Sequence, residues 1–142
     1  MPLSRSHHCV YDTHYHIVCP VKYRKALLSR EVVGVIRSTM KGLEERYDLT
    51  FEQAGDDQDH IHLLLTFHPK YSIGEIVRIF KSLTARELFR QLPELKRELW
   101  GGEFWSDGYY AATIGTRGTW AIVERYVKNQ GKNLKDLQLT LW

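Results

Sequence analysis

The chain has 142 residues, 43% of them hydrophobic and 26% charged, which fits one globular domain with its own core. No apolar run approaches the roughly 18 uncharged residues of a membrane span, and no stretch repeats or is low in complexity, so helical membrane proteins, solenoids and disordered tails are excluded. The net charge of +3, from 20 Lys and Arg against 17 Asp and Glu, names no partner by itself.

In chain order, the opening residues Met1 to His8 lack the apolar segment of a signal peptide, so a reducing cytoplasm is the expected compartment. Residues 9–19 are rich in aromatic and β-branched types and read as one strand. Tyr11, Thr13, Tyr15 and Ile17 fall on one side, and Val10, His14, His16 and Val18 on the other. On a straight strand Cys9 and Cys19 would stand about 30 Å apart, beyond the ~7 Å limit of a disulfide. Basic residues then crowd at Lys22, Arg24, Lys25 and Arg30.

From about Ser29 the period becomes helical, with Val32, Val33, Ile36, Met40, Leu43 and Tyr47 on one face and an end near Asp48. Leu49 to Ala54 is the next strand, followed by an acidic turn through Gly55-Asp56-Asp57-Gln58. Asp59 to Phe67 alternates, with Ile61, Leu63, Leu65 and Phe67 opposite His60, His62, Leu64 and Thr66, and Pro69 stops it. Ser72-Ile73-Gly74-Glu75 has the spacing of a capping box. The helix it opens should bury Ile73, Ile76, Val77, Phe80, Leu83 and Leu88, leaving Arg78, Lys81, Arg86 and Arg90 mostly outside that stripe. Pro93 starts a short helix closed by Gly101-Gly102. Residues 103–114 are strand-like, Gly115-Thr116-Arg117-Gly118 breaks them, and Thr119 caps a last helix ending at Gly131. The order predicts a mainly antiparallel sheet with helices on one or both faces, α/β in the loose sense and closer to α+β.

Two constellations could carry chemistry. In His60-Ile61-His62, side chains at i and i+2 of a strand project from the same face, so both imidazoles point away from the Ile61/Leu63/Leu65 core. They are either two surface histidines or a pair that converges on one divalent ion. Asp59 should point to the opposite face unless the strand is bulged. Tyr126 and Gln130 are neighbours at i and i+4 of a helix, where they either meet one site or end a buried stripe with Ile122 and Val123. Gly-x-Ser-x-Gly, finger-type zinc spacing and a Walker loop are all missing.

These residues also occur in an ordered series. His16-Ile17-Val18 and Lys22-Tyr23-Arg24 are followed by Asp59-His60-Ile61-His62-Leu63-Leu64, Pro69-Lys70-Tyr71-Ser72, Phe80-Lys81-Ser82 and Leu88-Phe89. Leu92-Pro93-Glu94-Leu95, Leu99-Trp100-Gly101-Gly102, Trp105-Ser106, Tyr109 and Tyr126 to Gln130 complete it. Over nearly its whole length the chain resembles the IS200/IS605-type single-strand DNA transposases of the HUH-nuclease superfamily. It departs at Ser106-Asp107-Gly108, where members often have a proline, which affects loop shape.

The resemblance implies a single ferredoxin-like, HUH-type domain over residues 1–142. It implies that His60, His62 and Gln130 bind Mg²⁺ or Mn²⁺ and that Tyr126, on a helix at about 119–131, is the nucleophile. It further implies strand exchange through a 5′-phosphotyrosine link, subterminal hairpins of single-stranded DNA as substrate, and a homodimer in which one subunit's tyrosine helix completes the other's histidine site. Gly115 and Gly118 would be the hinge of that helix. Lys22, Arg24, Arg78, Lys81 and Arg86 are the candidate phosphate contacts, with Tyr and Trp side chains to stack on bases. The competing readings are a palindrome-cleaving relative, a replication-initiation endonuclease, which the short chain disfavours, and a hairpin-binding protein without catalysis.

Overall fold

A computed structural model describes residues 3–6 and 8–114. The first strands, β1 (Ser4–Arg5) and β2 (Val10–Tyr11), pair with each other as a small antiparallel ribbon. The expected single strand over 9–19 is therefore two. It breaks at residues 12–14, where the Asp12 carboxylate turns back onto the His14 ring at 2.7 Å, a local side-chain bond of the kind that competes with a sheet ladder. Cys9 and Cys19 are both outside any disulfide, and burial pushes the Cys19 thiol up to about 12, where it is inert.

The main sheet runs β4-β5-β3-β6, antiparallel throughout, with β3 at Tyr15–Pro20, β4 at Leu49–Asp57, β5 at His60–Phe67 and β6 at Tyr110–Thr113. Helix α1 (Arg30–Arg46) joins β3 to β4, and α2 (Ile73–Gln91), followed by a short α3 (Leu95–Glu98), joins β5 to β6. This is the βαββαβ order of a ferredoxin-like fold. Both long helices start as the sequence predicts. The Ser29 hydroxyl accepts from Val32 N at 3.2 Å, and Ser72 and Glu75 form a reciprocal capping box.

Direct cross-strand partners share a face, so Ile17 opposite Leu63, Cys19 opposite Ile61, and Phe51 opposite Leu65 mark the core side. These residues form one cluster with Val32, Ile36, Met40 and Leu43 of α1 and Ile76, Val77, Phe80 and Leu88 of α2. The helices thus cover one face of the sheet, and the histidines lie on the other. The predicted turn at Gly55–Gln58 is displaced. β4 continues through Asp57, and the hairpin closes in two residues, Gln58 and Asp59. Strand pairing of Gly55 with His62 and Asp57 with His60 overrides the local turn preference of the Gly-Asp-Asp run. The 103–114 segment is also less regular than expected: only β6 is a strand, and Trp105 makes an isolated bridge to Val21.

Candidate active site

His60 and His62 open β5 on the face opposite the helices, as the alternation predicts. Both are buried, at 2% and 0% exposure, so they are not a pair of solvated surface rings. Their ring centroids are 5.2 Å apart, with planes inclined at 67°.

Each ring is held at Nδ1. His60 Nδ1 lies 2.5 Å from Asp59 Oδ1, and His62 Nδ1 lies 2.9 Å from His16 Nε2. Asp59 reaches His60 because it belongs to the turn rather than to the strand, so the alternation that would send it to the opposite face does not apply. Burial pushes His62 down to about 3, helped by the neighbouring His16 and His60, and burial pushes His16 down to about 4. Both rings are neutral at pH 7, so one donates to the other across their contact.

His16 is a site residue that its position in the sequence did not mark as one. It is paired opposite Leu64 and meets His62 diagonally across the ladder, with Tyr110 of β6 packed edge-on against it at 5.8 Å. A polar residue at a buried, strand-alternating position was the available signal.

Among the described residues, no group of three or more His, Cys, Asp or Glu side chains is placed to hold a metal ion. The donor set nonetheless fits one in part. Two buried imidazoles with their Nδ1 atoms engaged would present Nε2, the arrangement in which a neighbouring acceptor orients a ligating ring. Gln130, Tyr126, Gly115 and Gly118 lie outside the described residues.

The candidate phosphate contacts divide. Arg78 and Arg86 are exposed on α2, where they line a groove of about 580 Å³ with Phe89, Trp105 and Tyr109. Lys81 lines the same groove, but its ammonium donates to the carbonyls of Ser106, Asp107 and Gly108 at 2.7, 3.2 and 3.0 Å. That charge fastens the loop leading to β6. Lys22 pairs with Glu103 at 2.9 Å, and Arg24 with Asp59 at 3.2 Å. Exposed aromatics stand nearby: Trp100 is 87% exposed, and its carbonyl accepts from the Tyr23 hydroxyl at 3.2 Å. No described helix is long and apolar enough to cross a membrane.

The buried histidine pair thus stands at the start of the second central strand of a βαββαβ sheet, in a chain whose relatives are transposases. The family described as "Transposase IS200 like" matches residues 9–130, and the chain belongs to it. It is 32% identical over 121 residues to the ISDra2 transposase TnpA of Deinococcus radiodurans, a match covering 85% of this chain and 86% of that one. It is also 32% identical over 123 residues to the transposase for insertion sequence element IS200 of Salmonella typhimurium, covering 87% and 80%.

Among solved structures, a crystal structure from Deinococcus radiodurans R1 assigned as a transposase superposes with a TM-score of 0.71 at 29% identity, covering 89% of this chain and 97% of that one. A REP-associated tyrosine transposase bound to a REP hairpin shares the fold, with a TM-score of 0.62 at 11% identity, covering 89% and 70%.

Proposed function

We propose that this transposase cuts and rejoins single-stranded DNA at the ends of its element by transesterification through Tyr126. The observation that carries the reading is the buried His60/His62 pair with both Nδ1 atoms engaged, in a chain of this family. His60, His62 and Gln130 would hold Mg²⁺ or Mn²⁺, which supplies charge withdrawal from a non-bridging phosphate oxygen.

The Tyr126 phenol oxygen forms a bond to the scissile phosphorus, and the bond from phosphorus to the 3′ oxygen breaks. The products are a 5′-phosphotyrosine and a free 3′-OH, so the proton lost by the phenol is matched by the one gained at the leaving oxygen. Because the link keeps the ester, a new 3′-OH reverses the step and joins a different strand. No nucleotide cofactor is needed.

The DNA is recognised as subterminal hairpins. The support is the hairpin held by a protein of the same fold, the Arg78/Arg86 groove, and the exposed Tyr23, Trp100 and Tyr109 rings suited to stacking on unpaired bases. A homodimer with the tyrosine helix acting in trans, swung on Gly115 and Gly118, completes the reading. Identity to insertion-sequence transposases favours a mobile element over a palindrome-cleaving housekeeping role.

Tyr126→Phe tests the proposal. With a labelled hairpin oligonucleotide and Mn²⁺, the variant should bind nearly as the wild type but form no covalent protein–DNA adduct. Undiminished adducts on a denaturing gel would remove Tyr126 as nucleophile.

A further inference from the structure

We propose that Arg24 and Asp59 are positioning residues that fix the ring orientation and tautomer of His60, and that the left-handed backbone at Tyr23 and Arg24 serves this purpose. The inference rests on the metal-holding role proposed for His60.

The Asp59 carboxylate has both oxygens engaged. Oδ1 is 2.5 Å from His60 Nδ1, and Oδ2 is 3.2 Å from an Arg24 guanidinium nitrogen. A carboxylate can only accept, so Nδ1 carries the hydrogen, and in the neutral ring this leaves the lone pair on Nε2. That is the tautomer an imidazole needs to ligate a metal through Nε2. Arg24 in turn holds the carboxylate at one of two fixed points, through a planar guanidinium.

The backbone delivers this arrangement. Val21 N donates to the Asp59 carbonyl at 2.8 Å, and Leu28 N donates to the Gln58 carbonyl at 3.0 Å, so the 21–28 segment grips both residues of the hairpin turn. Within that segment Tyr23 has φ 61° and Arg24 φ 55°, two successive bulky residues in the region that favours glycine. Strain of this kind persists only where surroundings fix it. Here Lys22 N donates to the Phe104 carbonyl at 2.8 Å, and the Tyr23 hydroxyl to the Trp100 carbonyl at 3.2 Å. The left-handed pair turns the chain so that Arg24 faces Asp59.

The test uses the full chain without DNA, reading Mn²⁺ affinity by electron paramagnetic resonance and the metal-free His60 tautomer by long-range ¹H–¹⁵N NMR. Asp59→Asn and Arg24→Ala should each lower Mn²⁺ affinity by about 10- to 100-fold, as loss of an orienting partner does. Asp59→Asn should also mix the His60 tautomers, and Arg24→Lys should recover part of the affinity by restoring a cation. Variants within twofold of wild type, with His60 still protonated at Nδ1, would overturn the proposal. So would an Arg24→Ala protein that loses oligonucleotide affinity but keeps its Mn²⁺ affinity, because Arg24 would then be a phosphate contact. If the wild type takes up no Mn²⁺ yet Asp59→Asn still mixes the His60 tautomers, the metal reading fails while the positioning of His60 stands.

Discussion

His14 and His16 are two residues apart, and their surroundings treat them oppositely. His14 lies between carboxylates, with Nδ1 2.8 Å from Glu52 and Nε2 2.7 Å from Asp12. Burial works against its charge, but the hydrogen bonds to Glu52 and Asp12 outweigh that effect and raise its pKa above the ordinary 6.5. Glu52 is available for this because β4 bulges between Phe51 and Gln53, leaving one residue outside the ladder. His16 instead meets a second imidazole, and burial holds it neutral. The same side chain is held between carboxylates in one place and supports the proposed ligating ring in the other. Carboxylate partners raise the pKa of the first, and burial lowers that of the second.

Substitutions can break or sharpen that contrast. The largest effect is expected from His62→Ala, which should reduce metal-stimulated strand cleavage by about 100-fold or more, while His14→Ala keeps cleavage near the wild-type rate. Equal losses in a cleavage assay of the two variants would erase the distinction.

An intermediate effect is expected for His16→Ala. Loss of the His62 partner should weaken Mn²⁺ binding about 10-fold by titration calorimetry, and His16→Gln should restore part of it. Unchanged affinity in both would reduce the His16–His62 contact to packing.

The smallest effect concerns pH. A histidine whose pKa is raised by folding adds stability that is complete below the unfolded value of about 6.5 and is lost as pH rises through the folded one. Glu52→Gln should therefore cost about 1 kcal/mol at pH 5.5 and much less at pH 8.5 in urea melts. A loss that is the same at both pH values would mean that His14 is neutral in the fold. His16 and His62 have the opposite sign, because groups kept neutral by folding destabilise the protein as pH falls below about 6.5.

The parts of this arrangement that were legible in the sequence are those governed by local periodicity. Alternation placed His60 and His62 on one face, the change to a helical period near Ser29 placed the first helix, and the Ser72 capping box placed the second. What was hidden depends on residues far apart in the chain. His16 and His62 are joined by strand register, and Lys81 meets the 106–108 carbonyls only when α2 packs beside that loop. The Arg24–Asp59 pair depends on a backbone conformation that Tyr and Arg seldom adopt, so no pattern of residue types announces it. The extension of β4 through Gly55-Asp56-Asp57 shows tertiary pairing prevailing over local preference.

The two-residue connection Gln58-Asp59 also bears on how this protein can diverge. His60 is the first residue after it, and a single inserted or deleted residue that shifted the following strand by one position would exchange its two faces. Both imidazoles would then enter the apolar interior, and Ile61 and Leu63 would take their places. A length change that shifts the register at this hairpin would therefore take the histidine pair from its face, whatever residues fill the turn.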